Sequence, residues 1–322
     1  MNPRIPTTAS IARAREDLEG VIHPTRVMTC SSLSQMLGLE QLYLKPECLQ
    51  RTGSFKFRGA YTKVHRLAPS LQGKGVVAFS SGNHGQAVAL AAKLHGLPAL
   101  IVLPEDVVAE KEDACRAYGA EVRLAGRTSL ERKAVAEEIA TQRGWTIVPP
   151  FDDPDIVSGQ ATVGLEILEE APDTDAVLVP VGGGGLSSGV TLAVKRSRPD
   201  VKVIGVEPSG ADDARRSLEA GEIVAIEHPV TLADGLRTSR IGDLNFEILR
   251  ERSDGVRSVS EDGIMRAVFH LALRAKLVVE PSGAVGLAAL MEGALIDARR
   301  PTVLLSGGNV SPATFSRLLR PS

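Results

Sequence analysis

Lys56 stands between two phenylalanines in the stretch GSFKFRGA, just after a turn signal. An amine in such an apolar setting is poorly hydrated, so its pKa is open to depression and its neutral form can act as a nucleophile. Taken alone, a lysine would normally be a surface charge. Whether this one does chemistry therefore depends on the segments that fold beside it.

Four glycines, residues 182–185, follow the apolar run AVLVPV and precede the helical pattern LSSGVTLAVKRS. Glycines let the backbone approach a ligand closely, and their N–H groups with a helix N-terminus form a nest suited to a phosphate monoester. A flexible loop is the alternative, and it is disfavoured because ligands bind at the C-terminal ends of buried strands. The loop is neither a Walker loop nor a dinucleotide fingerprint, because no GK[ST] follows and the spacing differs.

Two further strand ends carry polar side chains. SSGNHG, residues 80–85, follows the strand pattern GVVAF, and it offers free amides, the side chain of Asn83 and a helix N-terminus suited to a carboxylate. An ordinary N-cap is an equally good interpretation. Ser306 closes the strand pattern PTVLLS before two glycines, where its hydroxyl could meet a heteroatom without carrying charge.

An acidic turn, VEPSGADD, places Glu207, Asp212 and Asp213 close together. Their oxygens could hold a hard divalent cation with help from backbone carbonyls and water. Without further evidence, a solvated turn with a helix N-cap is favoured.

The lysine, the glycine nest, the anion-binding turn and the neutral hydroxyl would all be used by one ligand. An aldehyde with a phosphate arm and a pyridine ring, pyridoxal 5'-phosphate, fits this set. We therefore predict that Lys56 forms a Schiff base with this cofactor.

Short apolar runs alternate with segments of helical spacing, a pattern typical of βαβ units and parallel sheets. The predicted strands form two series, 75–79, 99–103, 120–124 and 145–149, then 176–181, 201–207 and 301–306. Two series predict an α/β fold with two doubly wound domains and the cofactor in the cleft between them. We predict a large cofactor-binding domain of residues 1–65 and 153–322, and a small α/β domain of residues 66–152.

The composition predicts a globular chain, because 43% of the 322 residues are hydrophobic and the net charge is −2. Balanced charge without a basic cluster favours a small-molecule partner and argues against nucleic acid or a membrane. No apolar run reaches membrane-spanning length and no secretory signal is evident, so the cytoplasm is the expected location. The three cysteines are widely spaced, which argues against disulfides and thiolate metal sites.

The chain resembles the serine/threonine dehydratase and serine racemase family of pyridoxal-phosphate enzymes, also called fold type II or tryptophan-synthase β-like. The resemblance covers nearly the whole chain and rests on segments in the family's order and approximate spacing: GSFKFRGA, SSGNHGQA, PFDDPD, GGGG, VEPSGADD, TLADGL, KLVVEPSGAVG and SGGN. Several motifs in register are far more specific than any one of them alone.

The resemblance implies which residues hold the cofactor and the substrate. Asn83 would bond to the ring hydroxyl, and Ser306 would face the pyridine nitrogen. The implied cofactor-binding residues are Phe55, Lys56, Asn83, Gly182, Gly183, Gly184, Gly185, Leu186, Gly235 and Ser306. The implied substrate-binding turn is Ser80, Ser81, Gly82, Asn83 and His84.

The resemblance also implies a divalent-cation site and self-association. Glu207, the carbonyl of Ala211 and Asp213 match the family's site, with Mg²⁺, Mn²⁺ or Ca²⁺ as the candidate ion. Members of the family are usually homodimers or homotetramers.

The expected reaction is β-elimination of water from a small hydroxyamino acid. A serine at the ring nitrogen weakens the ring as an electron sink, which disfavours a long-lived carbanion and favours prompt loss of a β-hydroxyl. Lys56, once displaced by the substrate amine, would take the α-proton. We predict a catabolic L-threonine/L-serine dehydratase that forms a 2-oxo acid and ammonia, without a regulatory domain because the chain stops soon after SGGN.

Several alternatives stay open. Racemisation needs a second acid/base. By resemblance, Ser81 lies where the racemase places its serine, which makes Ser81 a second candidate catalytic residue. Phe151 in PFDDPD favours dehydration instead. A serine racemase, a threo-3-hydroxyaspartate dehydratase, a non-catalytic cofactor binder and a β-replacement enzyme are the alternatives. Arg132 could reach a second carboxylate, but its charge-rich helix pattern predicts a solvated side chain.

Overall fold

The computed structural model describes residue 2 and the ranges 4–80, 82–107, 109–126, 128–293 and 297–319. Its strands are β1 Met28–Thr29, β2 Tyr43–Pro46, β3 Val76–Phe79, β4 Ala99–Leu103, β5 Glu121–Leu124, β6 Thr146–Ile147, β7 Ala176–Pro180, β8 Lys202–Pro208, β9 Val256–Val259 and β10 Pro301–Leu305. Its α-helices are α1 Thr8–Leu18, α2 Ser31–Leu37, α3 Lys56–Leu71, α4 Asn83–Leu94, α5 Ala109–Ala117, α6 Ser129–Arg143, α7 Pro154–Glu170, α8 Gly185–Ser197, α9 Asp213–Ala220, α10 Asp243–Arg252, α11 Glu261–His270, α12 Pro281–Met291 and α13 Pro312–Leu318. Within these ranges, no helix has the length and apolarity needed to cross a bilayer.

The larger sheet has the strand order β1-β2-β10-β7-β8-β9. β1 is antiparallel to β2, and all other neighbours are parallel. Alternate residues of a strand face opposite sides of a sheet. Accordingly, Val177 and Val179 of β7 pack in the same cluster as residues of α7 and α8, whereas Leu178 packs in the cluster that contains α11 and α12. Helices therefore cover both faces of this sheet.

The smaller sheet has the order β5-β4-β3-β6, and all of its strands are parallel. Val76 of β3 packs in one core cluster with residues of α3 and α4, and Val77 packs in another with residues of α6. One mostly parallel and one fully parallel sheet, each covered on both faces, confirm the predicted fold class. The predicted domain boundaries near residues 65 and 152 stay a prediction.

All seven predicted strands form, and their ends differ from the predicted ones by at most two residues. Sequence reasoning missed β1, β2 and β9. These strands have two to four residues, and a charged residue interrupts the apolar pattern in two of them, Lys45 in β2 and Arg257 in β9. Such short runs lack the periodicity on which a strand prediction depends.

A buried cluster of charges links β2, the first turn of α3 and α7. Arg58 donates two hydrogen bonds of 2.8 Å to Glu47 and bonds of 2.6 and 2.8 Å to Glu166. Lys45 donates to Glu166 at 2.6 Å and to the carbonyl of Thr25 at 2.7 Å. The side chains of Lys45, Glu47 and Arg58 are fully buried. Because Arg58 lies two residues after Lys56, the cluster fixes the helix turn that carries the candidate nucleophile.

Candidate active site

A cavity of about 440 Å³ lies where the chain leaves β3, β7 and β10. This is the position expected of a small-ligand site in parallel α/β sheets. The structure brings most of the predicted site residues to its wall, namely Phe55, Lys56, Ser80, Asn83, His84, Gly182, Gly183, Gly184, Gly185, Leu186, Gly235 and Ser306. Gly82 is buried in the same turn as Ser80 and Asn83, and Ser81 lies outside the described residues.

Two turns that are far apart in the sequence hold Lys56 in place. Gly308 donates a backbone hydrogen bond of 2.9 Å to Gly53, and Phe55 donates one of 3.0 Å to Ser306. Asn309 lies beneath Gly53, where a Cβ would meet its Oδ1 at 2.2 Å, and Gly53 has a positive φ of 72°. Glycine is therefore required at position 53, and the SGGN turn is the support on which α3 begins.

The amine of Lys56 is held in a poorly solvated position at the start of α3. Its Nζ donates to the carbonyl of Pro150 at 2.8 Å and lies 5.2 Å from the centroid of the Phe55 ring. Burial lowers the pKa of Lys56 to about 8. At neutral pH a far larger fraction of this amine is neutral than of an ordinary lysine, and the neutral form is the one that attacks an aldehyde.

The four-glycine loop, here called the glycine cradle, packs so closely against neighbouring residues that side chains would not fit. A Cβ on Gly183 would lie 2.2 Å from the ring of Phe151, and one on Gly184 would lie 2.7 Å from the Cβ of Asn245. The carbonyl of Gly183 is also occupied, because it accepts hydrogen bonds from Asn245 Nδ2 at 2.7 Å and from the amide of Gly242 at 3.1 Å. The first amides of α8 have no partner within that helix, so they are available to an anion.

Asn83, at the start of α4, is held by two side chains from loops beside the larger sheet. Its Nδ2 donates to Glu280 Oε1 at 2.7 Å, and its Oδ1 accepts from Asn309 Nδ2 at 2.8 Å. Sequence reasoning assigned no role to Glu280 or Asn309, although both lie in the quoted segments KLVVEPSGAVG and SGGN. Their sequence separations from Asn83, 197 and 226 residues, explain why no local pattern revealed them.

Ser306 and Gly235 lie on the wall beside α12. The Ser306 hydroxyl donates to the carbonyl of Ser282 at 3.4 Å, and the hydroxyl of Ser282 accepts from the amide of Gly235 at 2.9 Å. Ser306 is buried and uncharged. A ring nitrogen placed here would meet a hydroxyl group.

The SSGNHG turn presents backbone amides. Ser80 Oγ accepts from the amide of Gly82 at 2.9 Å, and His84 Nε2 lies 2.9 Å from the carbonyl of Val148. Burial, together with Lys56, lowers the pKa of His84 to about 3, so the ring is neutral. Because the neutral ring offers no positive charge to an anion, a carboxylate here would be gripped by the amides at the start of α4.

The prediction that Arg132 is solvated is wrong. Only 5% of this residue is exposed, and it lines the cavity near the start of α6. Burial and the neighbouring Arg237 lower its pKa. Charge density along the α6 sequence did not show that one of its charged positions faces the cavity. An ion pair between Lys111 and Asp234, which sequence reasoning also missed, lies on the same wall.

The acidic turn lies outside this cavity and is buried. Glu207 accepts from the amides of Ala214 at 3.1 Å and Arg215 at 2.9 Å, so it caps α9. Neither carboxylate oxygen of Asp213 accepts a hydrogen bond of good geometry in the described part of the chain, although the backbone of Ile241 lies near enough to lower its pKa. Burial raises the pKa of Asp213 to about 7 and that of Glu207 well above its usual range. The described ranges contain no group of three or more His, Cys, Asp and Glu side chains that could hold a metal ion.

The cavity thus combines a buried amine of low pKa, a glycine cradle at a helix N-terminus and a neutral hydroxyl. These groups fit an aldehyde ligand that carries a phosphate and a pyridine ring, and the cradle requires glycines because a Cβ at Gly183 or Gly184 would clash with Phe151 or Asn245. The site and the two covered, mostly parallel sheets define a pyridoxal-phosphate enzyme of fold type II.

The chain belongs to the pyridoxal-phosphate dependent enzyme family, whose model matches residues 18–307. It is 40% identical to L-threo-3-hydroxyaspartate ammonia-lyase of Saccharomyces cerevisiae over 98% of this chain and 97% of that protein. The solved structure of threonine deaminase from T.th. is 46% identical, with a TM-score of 0.90 over 95% of this chain and 99% of that one. Maize serine racemase is 38% identical, with a TM-score of 0.93 over 97% of this chain and 96% of that one. These relatives confirm the predicted family.

Proposed function

We propose that the chain is an ammonia-lyase that acts on L-threonine or L-serine. The β-hydroxyl leaves as water, and the unsaturated product takes up water when it hydrolyses to a 2-oxo acid and ammonia. The observation that carries the proposal is the convergence of the Lys56 amine, the cradle at 182–185 and the Ser306 hydroxyl on one cavity. Pyridoxal 5'-phosphate, when bound, supplies the electron sink that makes an α-proton removable. Threonine deaminase and hydroxyaspartate ammonia-lyase are among the similar proteins, which supports this reaction class.

Lys56 is proposed as the covalent attachment point and as the base that takes the α-proton at Nζ. Its pKa of about 8 suits both roles, since proton transfer is most efficient when the catalytic pKa lies near the working pH. Pro150 orients the amine through its carbonyl. The uncharged Ser306 gives no ionic partner to a ring nitrogen, which favours prompt loss of a β-hydroxyl over a long-lived carbanion.

The substrate carboxylate is proposed to bind the turn formed by Ser80, Ser81, Gly82, Asn83 and His84. The start of α4 supports this role, because helix N-termini favour anions and the first amides lack intrahelical partners. His84 contributes its backbone only, since its ring is neutral and is hydrogen-bonded to the carbonyl of Val148. Ser81 remains the proposed second acid/base for a racemase side reaction.

An assay of the pyridoxal-phosphate-loaded protein for 2-oxo acids tests the function. L-threonine, L-serine, D-serine and L-threo-3-hydroxyaspartate are the substrates to compare. We expect oxo acid from L-threonine or L-serine. Formation of D-serine from L-serine without any oxo acid would show that racemisation is the reaction, and no reaction with any of them would reject the lyase.

L-threo-3-hydroxyaspartate is a second candidate substrate because of an arginine in the cavity wall. Arg132 lines the cavity while buried, and Arg237, also on the wall, lies near enough to lower its pKa. A guanidinium group is a planar donor that matches a carboxylate, and the second carboxylate of this substrate would add to the compensation that Asp106 and Glu131 already give Arg132 against the charge of Arg237. The methyl group of L-threonine carries no charge and cannot interact with the arginines in this way.

Replacing Arg132 with glutamine tests this specificity. We expect KM for L-threo-3-hydroxyaspartate to rise about tenfold or more, the effect of losing a charge-assisted hydrogen bond. KM for L-threonine should change little, since a methyl group does not bond to arginine. The control is Arg123→Gln, at an exposed position of β5. An equal rise of KM for both substrates would reject a role for Arg132 in substrate choice.

We also propose a divalent cation, Mg²⁺, Mn²⁺ or Ca²⁺, at Glu207, the carbonyl of Ala211 and Asp213. The support is that the two buried oxygens of Asp213 accept no hydrogen bond of good geometry in the described residues. Because only two carboxylates are offered, carbonyl oxygens and water would supply the remaining ligands.

Thermal unfolding in EDTA and in added cation tests the ion. A cation present at about 100 times its Kd stabilises the folded state by about 2.7 kcal/mol, so the melting temperature should rise. Asp213→Asn should remove this rise, whereas Asp262→Asn, at an exposed position of α11, should keep it. A melting temperature that is the same in EDTA and in each cation would reject the site.

Self-association as a homodimer or homotetramer is proposed from the family resemblance. Leu49 and Val278 support it, because both are 53% exposed and lie close enough together to contribute to one apolar patch. Cys48, the neighbour of Leu49, and Val278 both border Gly308. Sedimentation equilibrium would reject the proposal if it gave the mass of one chain.

A further inference from the structure

Glu280 is a buried acid in the cavity wall. The proposed reaction assigns no role to this residue. It precedes α12, only 2% of it is exposed, and it lines the same cavity as Lys56 and Ser306. A structural explanation would be that it caps α12, but its side chain makes no capping hydrogen bond. Gly307 makes room for it, since a Cβ there would lie 2.4 Å from Glu280 Oε1.

The hydrogen bonds of Glu280 lead to Asn83. An asparagine side chain has two N–H donors and one carbonyl acceptor. Asn309 occupies the carbonyl of Asn83, Glu280 Oε1 takes one N–H at 2.7 Å, and Asn309 is itself anchored to the carbonyl of Thr52 at 2.7 Å. The amide of Asn83 is thus fixed in plane and direction, and one N–H remains for a ligand. Glu280 Oε2 has no partner in the described part of the chain.

The surroundings of Glu280 favour its neutral form. Burial, and to a lesser degree the charge of Asp234, raise its pKa to about 8 against the opposing effects of Lys111, of the hydrogen bond from Asn83 and of the backbone of Asn309. The other titratable groups nearby are Cys48, whose own pKa Glu280 helps to raise, and Lys56 and His84 on the same cavity wall. Glu280 is therefore largely protonated at pH 7, and it ionises within the pH range in which the protein can be measured.

We propose that Glu280 is a positioning residue whose neutral carboxyl group aims the free N–H of Asn83 at the bound cofactor, so that its ionisation changes the cofactor's absorption. The reaction and its cofactor are taken from the proposed function. The role of Glu280 is inferred from the geometry of its hydrogen bonds. When Glu280 releases its proton to solvent, a buried negative charge lies one hydrogen bond away from the group that Asn83 contacts. Negative charge on a nearby ring oxygen is then disfavoured.

Glu280→Gln tests the proposal, because glutamine keeps an acceptor for Asn83 and cannot ionise. In the loaded wild-type protein we expect the cofactor band to change between pH 6.5 and 9.5, well above the usual pKa range of a glutamate, because burial raises the pKa of Glu280. The glutamine variant should lose this transition and bind cofactor about as tightly. The control is Asp262→Asn, which should keep it. A wild-type transition that survives in Glu280→Gln would overturn the proposal.

The stability of the cofactor-free protein gives a second readout that needs no activity. The pKa of Glu280 is raised in the folded state, so the unfolded chain binds fewer protons between pH 4.5 and 8 and the wild type loses stability as pH rises. Glu280→Gln should lose less stability over the same range, seen as a smaller shift of the urea midpoint. Equal shifts in the two proteins would overturn the proposal.

Glu280→Asp carries the test if the glutamine variant does not fold. Aspartate keeps the titrating group and is too short to reach Asn83, so cofactor affinity should fall about tenfold, the scale of one lost hydrogen bond. Unchanged affinity would count against the positioning role. A wild-type protein that shows the absorption transition and forms no oxo acid would reject the proposed function and leave this inference standing.

Discussion

Lys56→Ala should yield a folded protein that binds pyridoxal 5'-phosphate without forming a covalent bond and that has lost turnover. The loss should be roughly 10³-fold or more, since one side chain supplies both the nucleophile and the base. The fold should persist, because the amine makes a single hydrogen bond, to Pro150, within the described ranges. Removing a buried amine of lowered pKa also removes a group that is costly to bury.

Absorption spectroscopy after borohydride treatment measures the covalent bond, and circular dichroism verifies the fold. The matched control is Lys93→Ala, at an exposed position in the last turn of α4. That variant should keep both the covalent band and the turnover. Covalent trapping on another lysine of the Lys56→Ala protein, with retained turnover, would contradict the assignment.

Arg58→Ala should have the largest effect on stability. The change leaves Glu47 fully buried without its cation and takes two donors from Glu166. Removing one partner of a buried pair costs about 3–5 kcal/mol, because the remaining charge is left uncompensated in a medium of low polarity. We expect a loss of that size in the free energy of unfolding, measured by urea titration.

Arg15→Ala provides the comparison for Arg58→Ala. Arg15 also forms a bidentate pair with a glutamate, Glu169, but both side chains are more than half exposed. An exposed pair of this kind contributes less than about 1 kcal/mol. Similar losses in the free energy of unfolding for the two variants would show that the buried ion pairs of Arg58 stabilise the fold no more than an exposed pair.

Sequence patterns predicted the parts of this fold that repeat along the chain. The strand runs GVVAF, ALIVL and AVLVPV are apolar because helices cover both faces of their sheets, and each of them forms a strand. Strand ends rich in glycine and serine predicted which segments meet at the cavity. Both inferences work because they depend on local composition.

What the sequence did not predict depends on pairing between distant segments. Glu280 reaches Asn83 across 197 residues, and nothing near either residue marks the contact. Arg132 lies among charged residues of α6, and only the packing of that helix against the cavity shows that it is buried. β2 was missed because Lys45, inside a four-residue strand, breaks its apolar pattern, and its partner Glu166 lies 121 residues away.

The support of Lys56 by the SGGN turn has a consequence for biosynthesis. Gly53 and Phe55 obtain their backbone partners from Gly308 and Ser306, and Thr52 and Asn309 of the same two turns are 257 residues apart. A nascent polypeptide therefore carries its reactive lysine through a long stretch of translation without the scaffold that aims it. We therefore expect specific binding of the cofactor at Lys56 only after that distant turn has emerged from the ribosome and docked beneath the start of α3.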